Sequence, residues 1–146
     1  MKKLMASVIA FLSIAGCSSP KMVWVKPGGT QDELEQMVRT ERSRQWTKYA
    51  TDKGHIFYYD ATSLSHSGPG YYATVREWVE YEASENLGHV WRTTTIKCRD
   101  NSYSFNNFLI LDKHGQIKKP EADPTEWKTF TTGSTIFLLS KKICTQ

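Results

Sequence analysis

Charge of one sign is what this sequence most lacks. Lys and Arg number 19 against 15 Asp and Glu, a net charge of +4. Two of the positives, Lys2 and Lys3, lie in a segment read below as removed. The remainder is too small and too evenly spread to argue for nucleic-acid binding. Long apolar runs are also missing. The uncharged stretch between Lys3 and Lys21 falls short of the roughly 20 apolar residues of a membrane-spanning helix, and Gly16, Ser18, Ser19 and Pro20 interrupt it. No G-x-S-x-G, H-E-x-x-H, Walker loop or dinucleotide fingerprint occurs. Neither C-x-x-C nor H-x-x-x-H metal spacing appears, and cysteine is limited to three residues. No catalytic, metal or cofactor chemistry is therefore expected. What is present is one domain's worth of chain, 146 residues, with 12% aromatic residues including five Trp and seven Tyr. Such a composition suits a β-rich domain or a contact surface, and it argues against collagen, coiled coil and polytopic membrane protein.

The N-terminus has the layout of an export signal. Met1-Lys2-Lys3 is basic, Leu4 to Ile14 is mainly apolar, and small residues follow at Ala15-Gly16. Cys17 comes directly after Ile14-Ala15-Gly16, so the segment resembles the lipobox of bacterial lipoproteins. The resemblance implies cleavage before Cys17 and acylation of its thiol and new amine. Several acyl chains anchor far better than one, because each buried CH₂ adds roughly 0.8 kcal/mol. Ser18, not Asp, comes next. By the same resemblance the destination is the outer membrane. Residues 1–16 are thus read as a lipoprotein signal peptide and 17–29 as a lipidated tether. Trp24-Val25-Lys26-Pro27-Gly28-Gly29-Thr30 resembles a segment just past the anchor of many small bacterial lipoproteins.

With Cys17 acylated, Cys98 and Cys144 remain. In an oxidising compartment two leftover cysteines most simply pair. A catalytic thiol and a metal ligand are the rival readings, and the second lacks its usual spacing.

Residues 30–146 read as a single α+β domain. Thr30-Gln31-Asp32-Glu33 has the form of a capping box, opening an amphipathic helix over 30–44 with a narrow stripe of Leu34, Met37, Val38 and Glu41. This helix is expected to pack on the domain. From Gln45 the period becomes two. Trp46–Tyr49, His55–Asp60, Tyr71–Glu82, His89–Asp100 and Ser102–Asp112 are strand candidates, with turns at Asp52-Lys53-Gly54, Ser67-Gly68-Pro69-Gly70 and Lys113-His114-Gly115. Long alternating runs joined by short turns predict an antiparallel meander with one buried face. In the third run Ala73, Val75, Val79 and Tyr81 share that face, with Glu77 the exception; Tyr72, Thr74, Arg76, Trp78 and Glu80 point the other way. Tyr103, Phe105, Leu109 and Leu111 are in phase with one another. Ser134 is a plausible N-cap for Thr135 to Cys144, and Lys141 and Lys142 suit a helix C-terminus. The expectation is a C-terminal helix packed on the sheet and stapled by Cys144 to Cys98.

Trp46, Tyr59-Asp60-x-x-Ser63-Leu64, Arg76-Glu77-Trp78-Val79-Glu80-Tyr81, Cys98, Tyr103, Trp127, Gly133-Ser134 and Cys144 occur in this order. In this series, covering about two-thirds of the chain, the sequence resembles the surface-adhesin protein E family of bacterial lipoproteins. The resemblance implies an antiparallel sheet with a C-terminal helix and a disulfide between Cys98 and Cys144. It also implies an outer-membrane protein that binds host extracellular-matrix or serum proteins.

The outward strand face mixes aromatic and cationic groups: Tyr72, Arg76, Trp78, Trp91 and Lys97. Trp, Tyr and Arg are the types enriched at protein-contact hot spots, so these five are the candidate partner-binding residues. The competing reading is that the helices cover the two indoles. His55, His66, His89 and His114 read as solvated. Expected partners are the membrane, through the lipid anchor, and a protein: a host matrix protein, an envelope protein or a second copy of the chain. The alternative function is a periplasm-facing envelope accessory lipoprotein of a secretion or surface-exclusion system.

Overall fold

The computed structural model describes residues 29–69, 71–82, 85–118 and 120–144. The expected signal peptide, Cys17 and the tether up to residue 28 lie outside them. Chain order is α1 (Gln31–Arg42), β1 (Thr47–Asp52), β2 (His55–Ser67), β3 (Tyr72–Glu80), β4 (Leu87–Lys97), β5 (Ser102–Asp112), β6 (Lys128–Thr129) and α2 (Thr135–Ile143). The six strands form one sheet in sequence order, every neighbouring pair antiparallel.

Both helices begin where their caps dictate. Thr30 Oγ1 accepts the Glu33 N–H at 3.3 Å, and the Glu33 carboxylate accepts the Thr30 N–H at 2.8 Å. Two orphan donors are thereby satisfied reciprocally. Ser134 Oγ accepts the Phe137 N–H at 3.2 Å, and Lys141 and Lys142 occupy the last turn of α2.

The helices lie on opposite faces of the sheet. Ile136, Leu139 and Ile143 of α2 pack with Ala73, Val75 and Ile96. Val38 of α1 packs with Trp91, Leu109 and Leu111. The expectation of one buried face is corrected: each face has its own apolar core and its own helix. Cys98 and Cys144 form a disulfide with Cα atoms 5.7 Å apart, joining the end of α2 to the residue after β4.

β5 departs from a simple two-residue period. Thr93 pairs with Asn106 but Trp91 pairs with Leu109, so β5 carries one extra residue there. Asn107 takes up the bulge at φ +50°, a left-handed conformation that Asn tolerates better than most residues. One added residue exchanges the faces of everything beyond it. Tyr103 and Phe105 therefore pack on the α2 side and Leu109 and Leu111 on the α1 side, not in one phase as the sequence pattern suggests. β2 is irregular too, between Asp60 and Ser65. There Asp60 Oδ1 accepts from the Thr62 N–H and hydroxyl, and Ser63 Oγ accepts the Arg76 N–H at 2.8 Å. These side-chain bonds replace ladder bonds and let the strand run on to Ser67.

Candidate functional site

The five candidate contact residues do not form one surface. Arg76 and Trp91 are 3% and 1% exposed and lie beneath α1. Their reading as partner-binding residues is corrected, for a physical reason. The stripe of α1 ends in Glu41, which is buried, and an apolar strand face cannot receive a buried carboxylate without a partner. Arg76 supplies it. Its Nε donates to Glu41 Oε1 at 2.9 Å, and Nη1 donates to the bulge carbonyl of Asn107 at 2.6 Å and to Thr93 Oγ1 at 3.3 Å. Arg44 bridges Glu41 and Asp60 at 2.9 and 3.1 Å. Two guanidinium groups and two carboxylates thus close a neutral, buried network. Burial pulls the Arg76 guanidinium below its ordinary pKa while Glu41 opposes the shift; an arginine stays charged regardless.

Trp78 stands at the margin of α1 and is half-buried. Its ring stacks on Tyr58 at 4.4 Å between centroids and meets the edge of Trp46 at 5.8 Å. Trp91, its cross-strand partner, lies near-parallel at 6.3 Å. The Trp78 indole N–H donates to His89 Nδ1 at 3.2 Å. Burial depresses the His89 pKa, with Arg42 acting the same way and Glu80 against. Arg42, Trp46, Trp78, His89 and Trp91 line a cavity of about 260 Å³. His89 is therefore not the solvated residue expected. His55 accepts the Glu82 N–H through Nδ1, and His66 Nε2 lies 2.7 Å from the Ile143 carbonyl, to which it donates.

Tyr72 and Lys97 remain together at the other end of the same face, also cross-strand partners. Trp127, from the segment before β6, joins them. Lys97 Nζ sits 4.1 Å above the Trp127 ring, and the Tyr72 ring lies 6.3 Å from it. Trp127 is 45% exposed. Trp127 was not a partner-binding candidate from the sequence; beyond its place in the series that carries the family resemblance, its signal is an indole set among polar neighbours, Glu126, Lys128 and Thr129. On the opposite face, an open recess of about 1030 Å³ runs along the end of α2, lined by His66, Arg99, Lys141 and Lys142 among others.

No group of His, Cys, Asp and Glu among the described residues could hold a metal ion. No described helix is long and apolar enough to cross a membrane. Compared with family models and with curated proteins, the chain matches none.

Proposed function

We propose that the chain is an outer-membrane lipoprotein whose domain binds a protein partner, as the resemblance to surface-adhesin protein E implies. The observation that carries this reading is the group formed by exposed Trp127 with half-buried Tyr72 and Lys97. Its two aromatic rings are of the types enriched at protein-contact hot spots, and Lys97 adds a cation beside them. The order of the chain supports it further. Gln31 and Glu35 of α1 border the same groove as Gly115 and Gln116, at the end of the sheet opposite Tyr72 and Lys97. A lipid on Cys17 would join the domain at that end, away from the aromatic group.

Membrane partition of Cys17→Ala tests the anchor: the variant is expected in the soluble fraction, and unchanged partition overturns the lipoprotein reading. Trp127→Ala and Lys97→Glu test the surface, with binding to vitronectin-like and laminin-like ligands expected to weaken. Protease access on intact cells tests the location. A domain shielded in intact cells and cleaved after permeabilisation would replace the adhesin reading with that of a periplasm-facing accessory protein.

A further inference from the structure

We propose that the cavity framed by Trp46, Trp78, Trp91, His89 and Arg42 binds a quaternary ammonium group carried beside a phosphate, the chemistry of phosphocholine. The site is distinct from the Tyr72–Trp127 group and does not depend on it.

The walls define the cationic half of the ligand. Three indoles and an imidazole face a space of about 260 Å³, too small for a drug-sized ligand or dinucleotide and suited to one compact headgroup. A cation is attracted to an aromatic face within about 6 Å of the ring centroid, and indole is the strongest such face. Trp78 neighbours both other indoles, 5.8 Å from Trp46 and 6.3 Å from Trp91 between centroids, so adjacent aromatic rings wall the cavity. Among the described residues, no Lys or Arg occupies these rings as a cation–π partner; the contacts of that kind use Phe105, Trp127 and Phe137. His89 adds no positive charge while its Nδ1 accepts from Trp78. Glu80 stands opposite His89 across the β3–β4 ladder and supplies negative potential on the same face.

The rim defines the anionic half. Arg42 lines the cavity, is exposed, and has no carboxylate within ion-pair distance among the described residues. A guanidinium is matched to phosphate by its planar fork of donors. It also stands at the last turn of α1, clear of the buried network that engages Arg44 and Arg76. The Trp91 indole N–H is buried without an acceptor, whereas those of Trp46 and Trp78 are engaged by Glu41 O and His89. A ligand bearing acceptor oxygens suits this wall better than a purely apolar one.

The test is titration of the full chain, followed by tryptophan fluorescence and calorimetry, with choline, inorganic phosphate, phosphocholine and the uncharged carbon analogue of choline. Phosphocholine is expected to bind about tenfold more tightly than choline or phosphate alone, and the uncharged analogue about tenfold more weakly than choline. Arg42→Gln, an exposed change that leaves the core intact, should reduce phosphocholine binding to the level of choline and leave choline itself unaffected. Trp78→Phe should weaken both. Three results would each overturn the proposal: phosphocholine binding no better than phosphate, the uncharged analogue matching choline (a merely apolar pocket for a partner's side chain), or Arg42→Gln without effect. The source is resolved with the Cys17→Ala chain and phosphatidylcholine vesicles, using phosphatidylglycerol vesicles as control. Capture by phosphatidylcholine that free phosphocholine reverses supports a lipid headgroup. Binding of the free compound with no capture supports a soluble or glycan-borne phosphocholine.

Discussion

Glu77 and Arg92 stand opposite each other on β3 and β4 and form a two-pronged ion pair under the α2 face of the sheet. Arg92 Nε donates to Glu77 Oε2 at 2.8 Å and Nη2 to Oε1 at 3.1 Å. Thr94 and Tyr49 hydroxyls each donate to the carboxylate at 2.5 Å. The Arg92 guanidinium lies 3.7 Å above the Phe105 ring. Burial pushes the Glu77 carboxyl up, but Arg92 and the two hydroxyls outweigh it and hold its pKa below the usual range. Burial and the neighbouring carboxylate push the Tyr49 phenol far up, so it remains a donor.

Glu77→Ala leaves Arg92 buried without a counter-charge, a change expected to cost about 3–5 kcal/mol. Glu77→Leu combined with Arg92→Met should recover part of that loss, because no charge is left unpaired, while the Thr94 and Tyr49 hydroxyls lose their acceptor. Urea denaturation of the two variants checks this. The pair also has a pH signature. Its folded-state pKa lies below the unfolded value, so its stabilisation is full above the ordinary carboxylate range and is lost as pH falls through the folded pKa. Acid unfolding of the double variant should be less steep than that of the native chain.

The bond between Cys98 and Cys144 closes a loop with a sequence separation of 46 residues. In the chain-entropy estimate that is worth about 4 kcal/mol. Cys98→Ser and Cys144→Ser should each lose about that much, and the double variant little more, since a shared bond is lost only once. Free thiols at both positions in protein from its native compartment would remove the staple from the account.

Much of the topology was readable as period and punctuation. The capping box, the turn at Lys53-Gly54 and the terminal N-cap each follow from residue type. The faces of β3 were readable too, with Glu77 the exception; its pairing with Arg92 follows from the register. The fate of each face was not readable. Periodicity assigns Arg76 and Trp91 to a side, but it does not say that α1 will cover that side. Nor does it fix the bulge at Asn107, since a left-handed residue leaves no trace in alternation. Asn106-Asn107 was the available cue, and Leu109 and Leu111 follow a two-residue rhythm that conceals the exchange of faces. Trp127 and the aromatic cavity were hidden for the same reason. Their parts come from three or more separated segments that only the folded sheet brings together.

His89 provides a pH test of the aromatic cavity. The ring accepts the Trp78 N–H, and burial lowers its pKa from 6.5, assisted by Arg42 and opposed by Glu80. The folded state therefore takes up its proton later than the unfolded state. Its contribution is complete above about pH 6.5 and declines as the pH falls toward the folded pKa. Thermal melts of the native chain and His89→Gln between pH 7.5 and 5 are expected to converge on acidification (about the range in which histidine titrates). A constant gap would assign no titration to this residue. Indole fluorescence should change over the same interval as the Trp78 bond is lost.

Trp91 and Trp127 separate the two uses of indole in this domain. Trp91 packs with Val38, Leu109 and Leu111 and is 1% exposed, only its margin reaching the cavity, so Trp91→Ala removes a large ring from a packed core and should cost about 3–5 kcal/mol. Trp127 rests on Lys97 and Tyr72 with its remaining surface in water. Trp127→Ala should change stability by no more than about 1 kcal/mol, in line with an exposed cation–π contact. An anchor of this kind carries about 2 kcal/mol in a protein interface, roughly thirtyfold in affinity. Unfolding free energy and partner affinity measured on the same two variants should therefore show opposite patterns. Trp91→Ala should lose stability while its folded fraction binds normally, and Trp127→Ala should keep stability and lose affinity. Full affinity in Trp127→Ala would move the partner site away from this end of the sheet, toward the recess lined by Arg99, Lys141 and Lys142.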